Sequence, residues 1–319
     1  MNQRLDLAYT WVDDTFPGYR DALLRYAKSA HDRNPNRTRD NLQLLRFSLR
    51  SVERYAPWVN RIYLLTCRPQ VPAWIDRDHP RLVIVHHDEI MASQYLPTFN
   101  SFAIVSHVHL LPGISRRFLY LEDDMLFLNR VAPIDFMTED GRIRVFPRRR
   151  KTPRIESLDP VKSSPWNLAL ARVNQLLDAR YGPKPRYDVN HSPLLIDRDG
   201  WADMLEMWSQ EVERTRQSRF RAAGNIAPEY LYPHAMVEQG RGVFAPISGL
   251  LSEMAYAGLE NFYPLTFYQL LRLGLWPPKA CTLNDNFDQF PNPSVERMVR
   301  RTLLKWFPTR SSFERHDAD

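Results

Sequence analysis

Three acids in a row, Glu122-Asp123-Asp124, follow the apolar run Phe118-Leu119-Tyr120-Leu121 and precede Met125-Leu126-Phe127-Leu128. Carboxylates at the end of a buried strand suit Mg²⁺ or Mn²⁺, because these hard ions prefer oxygen and enclosed acids need a compensating charge. The competing reading is an acidic turn that caps the next segment. Arg46 and Arg50 stand four apart. On a helix they share a face able to grip a diphosphate bidentately. Arg54 continues the row, as it would in a solvated basic stripe. His191, in Asp188-Val189-Asn190-His191-Ser192-Pro193, is a candidate general base or phosphate contact, although a lone loop histidine is more often structural. Arg219-Phe220-Arg221 sets two cations around an aromatic, and Asn284-Asp285-Asn286 offers a further ligand or a loop cap.

These groups need elements to carry them. Leu5 to Val12 reads as a buried strand ending at Asp13-Asp14, and Tyr19 to Ser29 as a helix. Asp40 is the expected N-cap of a helix through Tyr55, with Leu42, Leu45, Leu49 and Val52 at helical spacing and Ala56-Pro57 as its stop. Ile62–Thr66 and Leu82–Val85 read as strands, the second ending in His86-His87-Asp88. Phe99 to Leu111 is predicted helical, and Phe118–Leu121 is a third interior strand. This alternation predicts an open α/β sheet with mainly parallel pairing. Ligands of such sheets bind beyond the carboxyl ends of the strands, where the three polar clusters all lie and should converge.

Arg148 to Pro165 reads as an exposed loop or junction. Trp166–Tyr181 and Trp201–Arg216 are predicted helices, with helical and loop-rich sequence continuing to Gln289. In the tail, Pro293–Phe307 is an amphipathic helix: Val295, Met298, Val299, Thr302, Leu303 and Trp306 share a face, with Arg297, Arg300, Arg301 and Lys305 largely off it. The expected organisation is an α/β core over 1–147, a helical and loop-rich part over 148–292 that completes the same catalytic unit, and a basic helix and tail over 293–319.

The 319 residues are 44% hydrophobic, which argues for a sizeable core and against disorder. A net charge of +6 suits phosphate-bearing ligands or anionic lipid. There is no glycine-rich phosphate loop, and no aromatic and basic strand pattern of an RNA-binding sheet, so nucleic acid is not an expected partner. Two cysteines, Cys67 and Cys281, form no disulfide framework or zinc cage and are expected to be reduced. No charged-then-apolar leader and no run near ~18 apolar residues is seen, so a cytoplasmic protein is expected. The basic tail helix either rests on the anionic inner membrane face or packs on its own domain.

Four blocks of this sequence resemble the Stealth family of polysaccharide phosphotransferases. The first is Asp6-Leu7-Ala8-Tyr9-Thr10-Trp11-Val12-Asp13. The second runs from Asp40-Asn41 through Arg46–Val59 and Leu96-Pro97-Thr98-Phe99-Asn100-Ser101 to Tyr120–Met125. The third is Asn190-His191-Ser192-Pro193 with Arg219-Phe220-Arg221, and the fourth is Cys281–Asn286. The resemblance implies a GT-A-like nucleotide-sugar transferase fold with helical additions in the C-terminal half. It also implies transfer of a hexose-1-phosphate, of the GlcNAc-1-phosphate type, from a UDP-sugar to an acceptor saccharide hydroxyl, with release of UMP. Asp123 and Asp124, with Asp285, would hold Mg²⁺ or Mn²⁺. Arg46, Arg50 and Arg221 would brace the diphosphate, His191 would act as acid/base, and Trp11, Asp13, Asn100, Arg219 and Asn284 would line the donor site. Glu122 stands where the family often has Asn, and Asp14 where it usually has Gly. A glycosyltransferase that releases UDP, and a non-catalytic assembly protein, are the rival expectations.

Overall fold

The computed structural model describes residues 5–34, 38–247, 253–287 and 289–315. The apolar runs of the N-terminal half become β1 (Asp6–Thr10), β2 (Ile62–Thr66), β3 (Leu82–His86) and β4 (Arg117–Glu122). The remaining strands are β5 (Met125–Phe127), β6 (Ile143–Val145), β7 (Pro147–Lys151), β8 (Tyr187–Val189), β9 (Leu194–Asp197), β10 (Gly242–Phe244), β11 (Met254–Glu260) and β12 (Ala280–Asn286). The central sheet has the order β3-β2-β1-β4-β9, parallel throughout except for antiparallel β9. The expected mainly parallel α/β architecture is present.

The helices are α1 (Tyr19–Tyr26), α2 (Leu44–Tyr55), α3 (His87–Ile90), α4 (Ser101–Val105), α5 (Pro165–Tyr181), α6 (Arg198–Met207), α7 (Ser209–Gln217), α8 (Pro228–Glu238), α9 (Tyr263–Leu275) and α10 (Pro293–Trp306). Three departures from expectation have local causes. The helix expected from Asp40 starts at Leu44, because Gln43 adopts a left-handed φ of 53° while Asp40 accepts from the Trp11 indole. The helix expected from Phe99 to Leu111 is only α4 followed by a 3₁₀ turn, with Asn100 as its side-chain cap. Arg148–Lys151, expected in a loop, forms β7 and pairs with β8.

A second sheet, β11-β12-β5, was not expected in a region read as helical and looped. β11 and β12 pair in parallel, and β5 runs antiparallel to β12. Two cores follow from the two sheets. Leu45, Leu49 and Val52 of α2 join the core of the central sheet, whereas Leu44 and Phe47 join the core beneath the second one. Helix α2 is thus a wedge between layers. Its buried Ser48 donates to the Met125 carbonyl and its buried Ser51 accepts from the Phe127 amide, so backbone groups at the start and end of β5 are satisfied by a helix. Both cysteines are free.

Helix α10 packs its predicted apolar stripe inward: Val295, Val299 and Leu303 are buried in the second core, with Met298 and Trp306 against it. No helix among the described residues is long and apolar enough to cross a membrane.

Candidate active site

Strand β4 delivers Glu122 to the end of the central sheet, and β5 begins at Met125 in the other sheet. Asp123 and Asp124 are the entire connection between β4 and β5. The Asp124 carbonyl accepts from the Leu283 amide at 2.9 Å, which fixes the turn against β12. Opposite it, the loop between β8 and β9 is tied to the second sheet: the Asn190 side-chain Nδ2 donates to the Met254 carbonyl at 2.6 Å and the Thr282 hydroxyl donates to the His191 carbonyl. The imidazole Nε2 of His191 is thereby held 3.6 Å from Glu122 Oε2 and 3.8 Å from Asp124 Oδ1. One donor atom each of Glu122, Asp124 and His191 lies within 4.8 Å of the other two.

This cluster is electrostatically incomplete. Desolvation first, then the neighbouring Asp124 and Glu122 charges, push the Asp123 carboxyl well above its ordinary range. Asp124 is raised by desolvation and then by Glu122. Asp124 Oδ1 is buried with no hydrogen-bond partner. A buried anion left in this state is unfavourable unless a proton or a cation accompanies it. The residues present therefore fit a divalent ion, with Glu122 and Asp124 as its oxygen donors and His191 beside them.

Around the acids lies a cleft of about 540 Å³ that takes residues from both sheets. Arg221 enters from the loop after α7. It bonds Ser101 and stacks its guanidinium over Phe102 at 4.4 Å and over Trp166 at 5.6 Å. Arg144, Arg148 and Arg150 form another wall, and the Nε of Arg144 is buried without a partner. Glu229 also faces the cleft. Burial, and secondly Glu122, push it up to about 7, and its Oε2 lacks a partner.

The predicted site residues divide. Trp11, Asp123, Asp124, His191, Arg221, Asn284 and Asp285 all line this cleft. Arg39 holds Asp285 bidentately at 2.7 and 2.8 Å, and although the Asp285 charge is near enough to raise Asp124, the three clustered donor atoms are those of Glu122, Asp124 and His191. Arg46 and Arg50 lie outside the lining and both grip Glu314, at 2.5 and 2.6 Å. Arg50 also donates to the Phe307 carbonyl. Their shared helix face clamps the C-terminal segment, a correction to the expected phosphate grip. Asp13 caps its own turn by accepting from Thr15, and Arg219 donates to the Pro97 carbonyl and stacks over Tyr26. Asn100 is fully buried and donates to the Thr215 and Ser218 carbonyls and to Asn225. It sets the loop that carries Arg221 rather than facing the cleft. Sequence reasoning named Glu122 in the acidic triplet but gave the ion to Asp123, Asp124 and Asp285, and it missed Glu229, Arg39 and the Arg144, Arg148 and Arg150 wall. An acid inside the apolar run Ala227-Pro228-Glu229-Tyr230-Leu231 was the available signal for Glu229.

An open α/β sheet with an acid-bearing turn, a histidine and arginines gathered at the strand ends defines the class: a fold built to receive a polar, charged ligand at the sheet rim. Residues 37–145 match Stealth protein conserved region 2 and residues 190–238 match conserved region 3. The chain carries both of these Stealth regions, and they contain the acid turn and His191 respectively. It is 32% identical to an exopolysaccharide phosphotransferase of Streptomyces coelicolor, over 98% of this chain and 53% of that protein. It is 27% identical to the receptor polysaccharide phosphotransferase WefC of Streptococcus oralis, over 98% of this chain and 99% of that one. The chain spans about half the length of the Streptomyces relatives. Among solved structures, the galactosyltransferase LgtC in complex with donor and acceptor sugar analogues aligns over 97% of this chain and 98% of its own. That alignment has a TM-score of 0.44 and 12% identity.

Proposed function

We propose that the protein transfers a hexose-1-phosphate from a UDP-sugar to an acceptor saccharide hydroxyl, releasing UMP, in the synthesis of a capsular or exopolysaccharide. One observation carries this reading. A cleft between two sheets contains a buried, unpartnered carboxylate oxygen of Asp124 and a buried, unpartnered guanidinium nitrogen of Arg144. Such a pair suits a ligand that is itself anionic and cation-bound, as a nucleotide diphosphate is. The Stealth regions and the polysaccharide phosphotransferase relatives support the same class of substrate.

Glu122 and Asp124 would hold Mg²⁺ or Mn²⁺, which would neutralise diphosphate charge when bound. Arg221 is braced by Ser101, Phe102 and Trp166, and with Arg148 and Arg150 it would orient the phosphoryl oxygens. His191 would accept the proton of the attacking hydroxyl. The preference of these ions for oxygen leaves its imidazole free for that work. Trp11 and Asn284 lie where they would contact donor or acceptor, and the protein would act at the cytoplasmic face of the membrane.

Incubating the protein with a panel of UDP-sugars, an acceptor saccharide and Mg²⁺ or Mn²⁺, and identifying the released nucleotide, tests the reading. UMP with a phosphodiester product is the expected outcome. Release of UDP would replace it with glycosyl transfer, and turnover undiminished by chelator would remove the cation from the site.

A further inference from the structure

Helix α9 is built inside out for a helix of a folded protein. Its buried residues are Thr266, Leu270 and Leu273, of which the two leucines belong to the second core. Apart from the half-buried Gln269 and Arg272, the rest of its surface is apolar: Tyr263, Leu265, Phe267, Tyr268, Leu271 and Leu275 are exposed, Tyr268 by 60%. Phe262 and Trp276, just beyond its two ends, are exposed by 66% and 61%. Tyr263, Phe267, Leu271 and Leu275 recur every fourth residue, which makes a continuous stripe. Single exposed apolar residues are ordinary, whereas a contiguous face of this kind calls for a cover.

The neighbouring α10 shows what that cover is. Arg297, Arg301 and Lys305 line a groove of about 390 Å³ together with Tyr263 of α9, and Arg300 lies next in the row. Helix α9 carries no acid, and the one acid of α10, Glu296, bonds Asn41. Aromatic rings at both ends of an apolar stripe, flanked by cations, match the layering of a bilayer surface: acyl chains, then interface, then anionic headgroups. A second copy of the chain meeting this face about a two-fold axis would set arginines against arginines. Thirteen residues are too few to span the ~30 Å hydrocarbon core, so the helix lies along it.

We infer that α9, with the outer face of α10, is a docking surface for an anionic lipid bilayer. Helix α9 is immersed at the headgroup boundary and the α10 cations contact lipid phosphates. This revises the sequence expectation, in which the α10 apolar stripe could meet the membrane, because that stripe is buried. The inference does not depend on the reaction proposed for the cleft.

Flotation of the full chain with vesicles of phosphatidylcholine alone, or with roughly one third phosphatidylglycerol, tests it, since anionic headgroups supply the attraction. The expected result is binding to the anionic vesicles at least about tenfold above neutral ones, weakening as salt is raised. The variant Phe267→Ser/Tyr268→Ser/Leu271→Ser should lose flotation at unchanged Tm, and Arg297→Ser/Arg301→Ser/Lys305→Ser should bind anionic vesicles no better than neutral ones. Should the apolar variant not fold, brominated lipid provides the second reading: it should quench wild-type fluorescence more than that of Trp276→Phe. Failure of the wild type to float, equal quenching of the two proteins, or flotation of a folded apolar variant would overturn the inference. So would a concentration-dependent dimer that needs the same side chains in a protein that never floats.

Discussion

Two clusters of buried charge sit at opposite faces of the wedge between the sheets, and they differ in one respect. At the first, Arg46 and Arg50 surround Glu314, whose side chain is fully enclosed and also accepts from the Ser311 amide. Burial alone would raise the Glu314 carboxyl, and the hydrogen bonds from Arg50, Ser311 and Arg46 reverse that and leave it lowered. At the second, Glu122, Asp123 and Asp124 crowd together, the ion-pair partner within 4 Å among the described residues being His191, and the two aspartates are raised. The first cluster is complete within the chain, and the second waits for something from outside. Satisfied charge marks architecture, and unsatisfied charge in a cleft marks a site.

The largest effect that can test this contrast is Asp124→Asn. Turnover should fall by about 10²–10³-fold or more, as when a preorganised electrostatic group is removed. Thermal stability without divalent ion should hold or rise, because an uncompensated buried anion has gone. Mg²⁺ or Mn²⁺ should raise the Tm of the wild type and not of the variant, readable by differential scanning calorimetry. Glu314→Gln should behave in reverse. Leaving two enclosed guanidinium groups without their anion should cost about 3–5 kcal/mol in denaturant unfolding, while kcat of the folded fraction is unchanged.

His191→Ala sharpens the comparison within the cleft. A loss of about 10²–10⁴-fold in turnover is expected with ion affinity, measured by calorimetry, retained. Loss of both together would make His191 a ligand rather than a base. The pH dependence of stability should carry opposite signs for the two clusters. Glu314, with its lowered folded value, contributes stability present above the ordinary glutamate range and lost as pH falls through the folded value. Asp123 and Asp124, with raised folded values, contribute stability present below the ordinary aspartate range and lost as pH climbs through the folded values in ion-free protein. Urea midpoints across pH should flatten on the acid side in Glu314→Gln and on the alkaline side in Asp124→Asn. Smallest of these effects, Arg221→Lys should raise KM for the donor by about tenfold, since an ammonium cannot stack between Phe102 and Trp166 while bonding Ser101.

What could be read from the sequence was what local pattern encodes. β1, β2, β3 and β4 are short apolar runs ending in polar residues, and helices between β1 and β2 and between β3 and β4 point to parallel pairing, while β2 and β3 are joined by turns alone. The acid turn was legible because strand ends in such sheets carry ligands, and His191 because the Asn190-His191-Ser192-Pro193 run resembles a family block. The second sheet was not, because Met254–Glu260 and Ala280–Asn286 contain small and polar residues with weak strand preference and acquire their conformation by pairing with each other. Arg46 and Arg50 were misplaced for a different reason. Their spacing is correct for a diphosphate, but their partner Glu314 lies more than 260 residues along the chain, beyond any local pattern. Glu229 left one local trace, an acid within an apolar run, but only the fold shows that it is buried against the cleft.

Because Asp123 and Asp124 alone join β4 to β5, the turn that hands the chain from one sheet to the other and the proposed anchor for the ligand are one and the same dipeptide. So short a tether has almost no slack. A ligand held at these acids would therefore brace the two sheets against each other at the point where the chain crosses between them. Amide exchange in β11 and β12, far along the chain from the aspartates, would slow on loading the cleft and report this coupling directly.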